Sequence, residues 1–111
     1  MVKQYLNQTV YDAFLQRMHL IFQEFDNIFV SFSGGKDSGL LLNLTLDFQK
    51  KYYPQKKIGV FHQDFEAQYS VTTEYIERTF SAIADEVEPY WVCLPMATRT
   101  ALSSYEMYWY P

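Results

Sequence analysis

Six residues, Ser33-Gly34-Gly35-Lys36-Asp37-Ser38, constrain this chain more than any other stretch, because of what stands on either side of them. Ile28 to Phe32 is a short β-branched and aromatic run, which predicts a buried strand. From Asp37 to about Lys51 the apolar residues Leu40, Leu41, Leu44 and Phe48 fall at helical spacing, and Pro54 closes the segment. A strand that enters a helix through two adjacent glycines can turn tightly and bring its backbone close to a ligand, with no Cβ in the way. The amides at such a helix start, together with the helix dipole, favour an anion. Ser33 and Ser38 add hydroxyl donors, and Lys36 can set a positive charge near phosphate oxygens. Asp37 would repel a phosphate, which leaves it two roles: capping the helix or holding a magnesium ion. The spacing is neither G-x-x-x-x-G-K-S/T nor G-x-G-x-x-G, so this is not a Walker loop or a dinucleotide loop. A plain Gly-Gly turn capped by Ser and Asp is the alternative; the full string in this setting favours a phosphate site.

The rest of the chain supplies more alternating elements. Apolar residues at Val10, Tyr11, Phe14, Leu15, Met18, Ile21, Phe22 and Phe25 predict a helix with one wide buried stripe. Thr9 and Asp12 form a capping-box pair at its start, and Asp26-Asn27 ends it. Ile58 to Phe61 is a second strand, followed by the polar run His62, Gln63, Asp64. Ser70 or Thr72 can cap a third helix that runs through Tyr75, Ile76, Thr79, Phe80 and Ile83. Glu88-Pro89 closes the connection, and Tyr90 to Leu94 is a third strand stopped by Pro95. Strands alternating with helices predict an α/β fold with a parallel sheet and right-handed crossovers. The 111 residues make one domain, 1–111, with an aromatic tail over 96–111. A terminus that rich in exposed aromatics predicts a fragment, or packing continued in another subunit.

Charge and cysteine content narrow the partners. The net charge of −4 argues against a nucleic-acid surface. Lys50, Lys51, Lys56 and Lys57 are expected to solvate a helix end and complement its dipole. A single cysteine, Cys93, excludes an intramolecular disulfide and a four-thiolate zinc site. No apolar run approaches the ~20 residues needed to span a bilayer, and the start has no signal-peptide core. A cytoplasmic location is expected.

The Ser33–Ser38 string resembles the SGGxDS signature of the PP-loop ATP pyrophosphatases, a branch of the adenine nucleotide alpha-hydrolase superfamily. Within that branch the chain is similar to the phosphoadenosine phosphosulfate reductase-like proteins, and to their phage- and plasmid-associated subgroup of the immunoglobulin-binding regulator A type. The resemblance implies a Rossmann-like adenine nucleotide alpha-hydrolase fold, doubly wound, with the first strand between the second and the fourth. It implies that this chain is an N-terminal portion, truncated to about three parallel strands, whose first strand exposes an edge. It further implies that Ser33, Gly34, Gly35, Lys36, Asp37 and Ser38 hold the phosphates of ATP or of phosphoadenosine phosphosulfate, with Ser31 and Phe32 lining the nucleotide through their backbone. Proteins of this kind that use ATP adenylylate a substrate and release pyrophosphate. The sulfonucleotide reductases use a nucleophilic cysteine in a C-terminal tail. Here Cys93 falls inside a predicted strand, where a buried thiol is inert, which argues against reductase activity.

A few residues at the same sheet edge complete the candidates. Asp64 and Glu66 follow the second strand and could contact magnesium or ribose, or simply stand in a solvated loop before a helix. Arg99 could clamp a phosphate or sulfate, or form a surface salt bridge. His62 could serve in acid–base work or be a surface residue of a polar loop, while His19 is structural. No residue stands out as nucleophile or general base. Two functions remain open: an AMP-forming transferase-type enzyme, or part of one, using magnesium and an adenine nucleotide, and a catalytically inactive fragment or regulatory protein that keeps the loop. A second subunit or partner chain covering the open edge and the aromatic tail is expected in either case.

Overall fold

A computed structural model describes residues 2–64, 68–94, 98–99 and 108–109. The first helix, α1, spans Val10–Glu24. Its capping box forms as expected: Asp12 N–H donates to Thr9 Oγ1 at 3.0 Å, and Thr9 N–H donates to Asp12 Oδ2 at 3.2 Å. At the other end the Lys56 ammonium donates to the carbonyl of Phe22 at 2.6 Å and also to that of Phe25, satisfying oxygens that the helix leaves without amides. The expected stripe is only half buried. Met18 and Phe22 reach the core, with Phe22 packed on Phe48 and Tyr53 at ring separations of 5.2 and 5.1 Å. Val10, Tyr11 and Phe25 are exposed, because only the middle of α1 faces its neighbours.

Three strands form one parallel sheet in the order β1-β2-β3, where β1 is Phe29–Ser31, β2 is Gly59–Gln63 and β3 is Glu88–Val92. Between them run α2, Lys36–Tyr52, and α3, Ser70–Ile83. The chain is therefore α/β. Both crossover helices lie on the sheet face that carries Val30, Phe32 and Val60: Phe32 neighbours Gly39 of α2 and packs against Tyr75 and Phe80 of α3. Parallel crossovers of one hand, made in one direction across a sheet, must fall on one side. Among the described residues the opposite face stays open over Phe29 and Tyr90, whose rings meet edge to face at 5.4 Å. The Phe29 ring also lies across Gly59, where a Cβ would sit 2.2 Å from its Cδ1.

Several expectations change here. β1 is a half-buried edge strand: Val30 is covered, while Phe29 and Ser31 are exposed. β2 runs on to Gln63, so His62 belongs to a strand rather than a polar loop. β3 begins at Glu88 and contains Pro89. Glu88 N–H turns inward to Ile58 O at 3.0 Å, so the next nitrogen, that of Pro89, faces outward where no ladder bond is lost. Cys93 lies one residue past β3 and is exposed, not buried within it. In α2 the covered face is Gly39, Leu42, Thr45, Leu46, Phe48 and Gln49, while Leu40 and Leu41 point outward. Neither Ser70 nor Thr72 caps α3, which starts after Tyr69 with no side-chain cap. The lysines divide between two helix ends: Lys50 and Lys51 stand in the last turn of α2, and Lys56 closes α1. Within the aromatic tail, Thr98–Arg99 (β4) pairs antiparallel with Tyr108–Trp109 (β5); the rest of 95–111 lies outside the described residues.

Candidate functional site

The loop leaves the sheet where β1 ends. Phe32 N–H makes the last ladder bond, to Phe61 O at 2.7 Å, and the Phe32 side chain is sealed in the core. The chain then reverses at Gly34, whose φ of +91° is a conformation that side chains with a Cβ rarely adopt. Space points the same way: a Cβ on Gly34 would come within 2.9 Å of Ile76 Cγ1 and Cδ1 and 3.1 Å of Thr72 Cγ2. The turn is thus seated directly on the first turns of α3. Gly35, in extended conformation, is the N-cap of α2, and no side chain caps that helix. By helix geometry the amides of Lys36, Asp37 and Ser38 have no intrahelical carbonyl to bond.

The two serines brace the loop from inside. Ser33 N–H donates to Ser38 Oγ at 3.2 Å, and Ser38 Oγ donates to Gly35 O at 3.2 Å. The two hydroxyls lie 3.0 Å apart. Because the Ser38 proton points at Gly35 O, the proton between the hydroxyls comes from Ser33, whose oxygen in turn accepts from Gly35 N–H at 3.4 Å. Both hydroxyls donate within the loop, so the groups it offers outward are backbone amides and the Lys36 side chain, which is exposed. Asp37 stands exposed in the first turn of α2; it favours the helix dipole but makes no capping bond.

The neighbouring strand ends supply the rest. Asp64 follows β2; its N–H donates to Val92 O at 2.7 Å and its Oδ2 accepts the Trp91 indole N–H at 3.0 Å. His62 is buried, 2% exposed, with Nδ1 at 2.8 Å from Phe32 O and its ring edge-on to Trp91 at 4.8 Å. The sequence carries a signal for that position in its alternation, since Ile58, Val60 and His62 share one phase and all are buried. Ser31 sits exposed on β1, and the Phe32 amide and carbonyl are both occupied by β2. Glu66 and the Arg99 side chain lie outside the described residues. His19 belongs to an aromatic cluster with Phe48 and Tyr52, at ring separations of 4.7 and 4.8 Å, and takes no part in the loop. Among the described residues no group of three or more His, Cys, Asp or Glu stands close enough to hold a metal ion, and no helix is long and apolar enough to cross a membrane.

The chain is 39% identical over 101 residues to an uncharacterized protein, YbdN, of Escherichia coli K12. The match takes in 90% of this chain but 24% of YbdN, so the chain spans about a quarter of the length of that relative. No family model matches, and no solved structure matches.

Proposed function

We propose that the Ser33–Ser38 loop binds the phosphates of an adenine nucleotide, ATP or a sulfonucleotide such as phosphoadenosine phosphosulfate, as in the PP-loop family. The observation that carries this is the left-handed turn at Gly34 delivering an uncapped α2 N-terminus at the carboxyl edge of a parallel sheet. Ligands of open α/β sheets bind at that edge, and bare helix amides are suited to phosphate oxygens. Lys36 would pair with the outer phosphate charge. Asp37 and Asp64 are the carboxylates that would hold Mg2+, which neutralises phosphate charge when bound. The sheet is the first half of a Rossmann-like adenine nucleotide alpha-hydrolase fold, whose remaining strands would lie beyond β1 on further chain or a second subunit. This reading places the protein in the cytoplasm, where such nucleotides are abundant.

Binding without turnover is the second reading, and one observation favours it. Neither of the chain's two histidines is presented to the loop as a base: His62 spends Nδ1 on Phe32 O, and His19 is packed among aromatics. Calorimetric titration of ATP and of pyrophosphate, with and without Mg2+, tests the proposal. Binding that weakens strongly in Gly34→Val is the expected result. No heat at millimolar nucleotide would remove the phosphate reading, and pyrophosphate release with an acceptor present would separate the enzyme from the inactive regulator.

A further inference from the structure

We infer that His62 is a positioning residue for the phosphate loop, clamping the Phe32–Ser33 peptide so that the turn at Gly34 and the α2 amides keep their aim. The functional consequence rests on the phosphate reading above; the clamp itself rests on geometry. A carbonyl oxygen only accepts, so at 2.8 Å from Phe32 O the His62 Nδ1 carries the proton. The amide on the other side of the same planar peptide, Ser33 N–H, is held by Ser38 Oγ at 3.2 Å. Both ends of this one peptide unit are therefore bound, one from β2 and one from α2. It is the last peptide before the loop, and its rotation would redirect everything from Ser33 onward.

The clamp is itself oriented by Gln68, which precedes α3 and is held by Thr73 of its first turn. Gln68 Nε2 lies 3.4 Å from His62 Nε2 and 3.0 Å from Thr73 Oγ1, and Thr73 Oγ1 donates to Tyr69 O at 3.4 Å. The assignment is consistent in one direction: Thr73 gives its proton to Tyr69 O, the Gln68 amide gives one to Thr73 and one to His62 Nε2, and His62 gives its own to Phe32 O. The imidazole is thereby oriented with its Nδ1 proton on Phe32 O. A second contact ties the same elements together, because Gly34 rests on Thr72 and Ile76 of α3. Loop geometry is thus set jointly by β2 and the start of α3, elements that the loop residues do not themselves include.

A purely space-filling histidine would behave differently, and two variants separate the cases. His62→Phe keeps a ring against Trp91 but deletes the donor; His62→Asn loses the ring but keeps an N–H near the Nδ1 position. The expected result is about tenfold faster amide exchange at Ser33 and about tenfold weaker pyrophosphate binding in His62→Phe, with His62→Asn within about threefold of the parent. The reverse order, His62→Phe benign and His62→Asn impaired, would overturn the clamp. Should His62→Phe fail to fold, the imidazole nitrogen spectrum of the unaltered protein decides, since a proton on Nε2 in place of Nδ1 is incompatible with it. Should the unaltered protein bind no pyrophosphate, the phosphate reading fails alone, and the exchange data still judge the clamp.

Discussion

Gly34 and Gly35 stand side by side but carry different burdens. Gly34 has φ of +91° and presses on Ile76, so Gly34→Ala meets both backbone strain and a steric clash. It is expected to destabilise the fold by about 1–3 kcal/mol, measured by denaturant unfolding. Gly35 is in extended conformation, and a Cβ there would come no nearer than 3.6 Å to Ser33 Oγ. Gly35→Ala should cost no more than about 1 kcal/mol, the price of a lost helix-start glycine. Equal effects of the two changes would show that the left-handed turn is not where the structure puts it. The string of six residues was legible in the sequence as a loop, and the glycine pair as its hinge. Which glycine bears the strain was not, because that depends on α3, more than thirty residues away in sequence.

At the scale of elements, α2 shows how burial is divided. Its apolar residues Leu40, Leu41, Leu42, Leu44 and Leu46 nearly surround the helix, so the spacing through Leu40, Leu41, Leu44 and Phe48 marked a helix but put the wrong leucines on its covered face. Contact with Phe32 at Gly39 settles the rotation and turns Leu42 and Leu46 inward. The same rotation buries Thr45, whose hydroxyl has no hydrogen-bond partner among the described residues and whose side chain faces a groove of about 270 Å³ shared with Met18, Ile21, Ile28 and Leu41. Thr45→Val replaces that hydroxyl with a methyl of similar shape, and should stabilise the protein by about 1 kcal/mol. A lower melting temperature in this variant would mean that the hydroxyl is satisfied in solution. The Lys50–Glu86 pair at 2.6 Å is largely solvent-exposed and should contribute little.

At the scale of the whole molecule, the sheet formed by the described residues is closed on one face and, among those residues, open along β1. Ile28 O and Phe32 N–H bond to β2, so the intervening backbone groups of Phe29 and Ser31 turn outward. An edge of this kind, beside the exposed Phe29 ring, favours pairing with another strand. Sedimentation over a concentration series should show self-association, and Ser31→Pro should reduce it without disturbing the β1–β2 ladder, since only an outward N–H is lost. A monomer at every concentration would exclude pairing between copies. Local sequence by itself determined the element order, the capping box of α1 and the strand–Gly-Gly–helix hinge, because each depends on residues within a turn or two. Only the tertiary structure decided that His62 is buried, that Pro89 is tolerated in β3, that Cys93 is exposed and that Leu42 rather than Leu41 faces the core. Those outcomes turn on which strand lies at an edge and which face the helices cover. The feature that matters most to the proposed site, the peptide leading into Ser33, is local in sequence but held by His62 of β2 and Ser38 of α2.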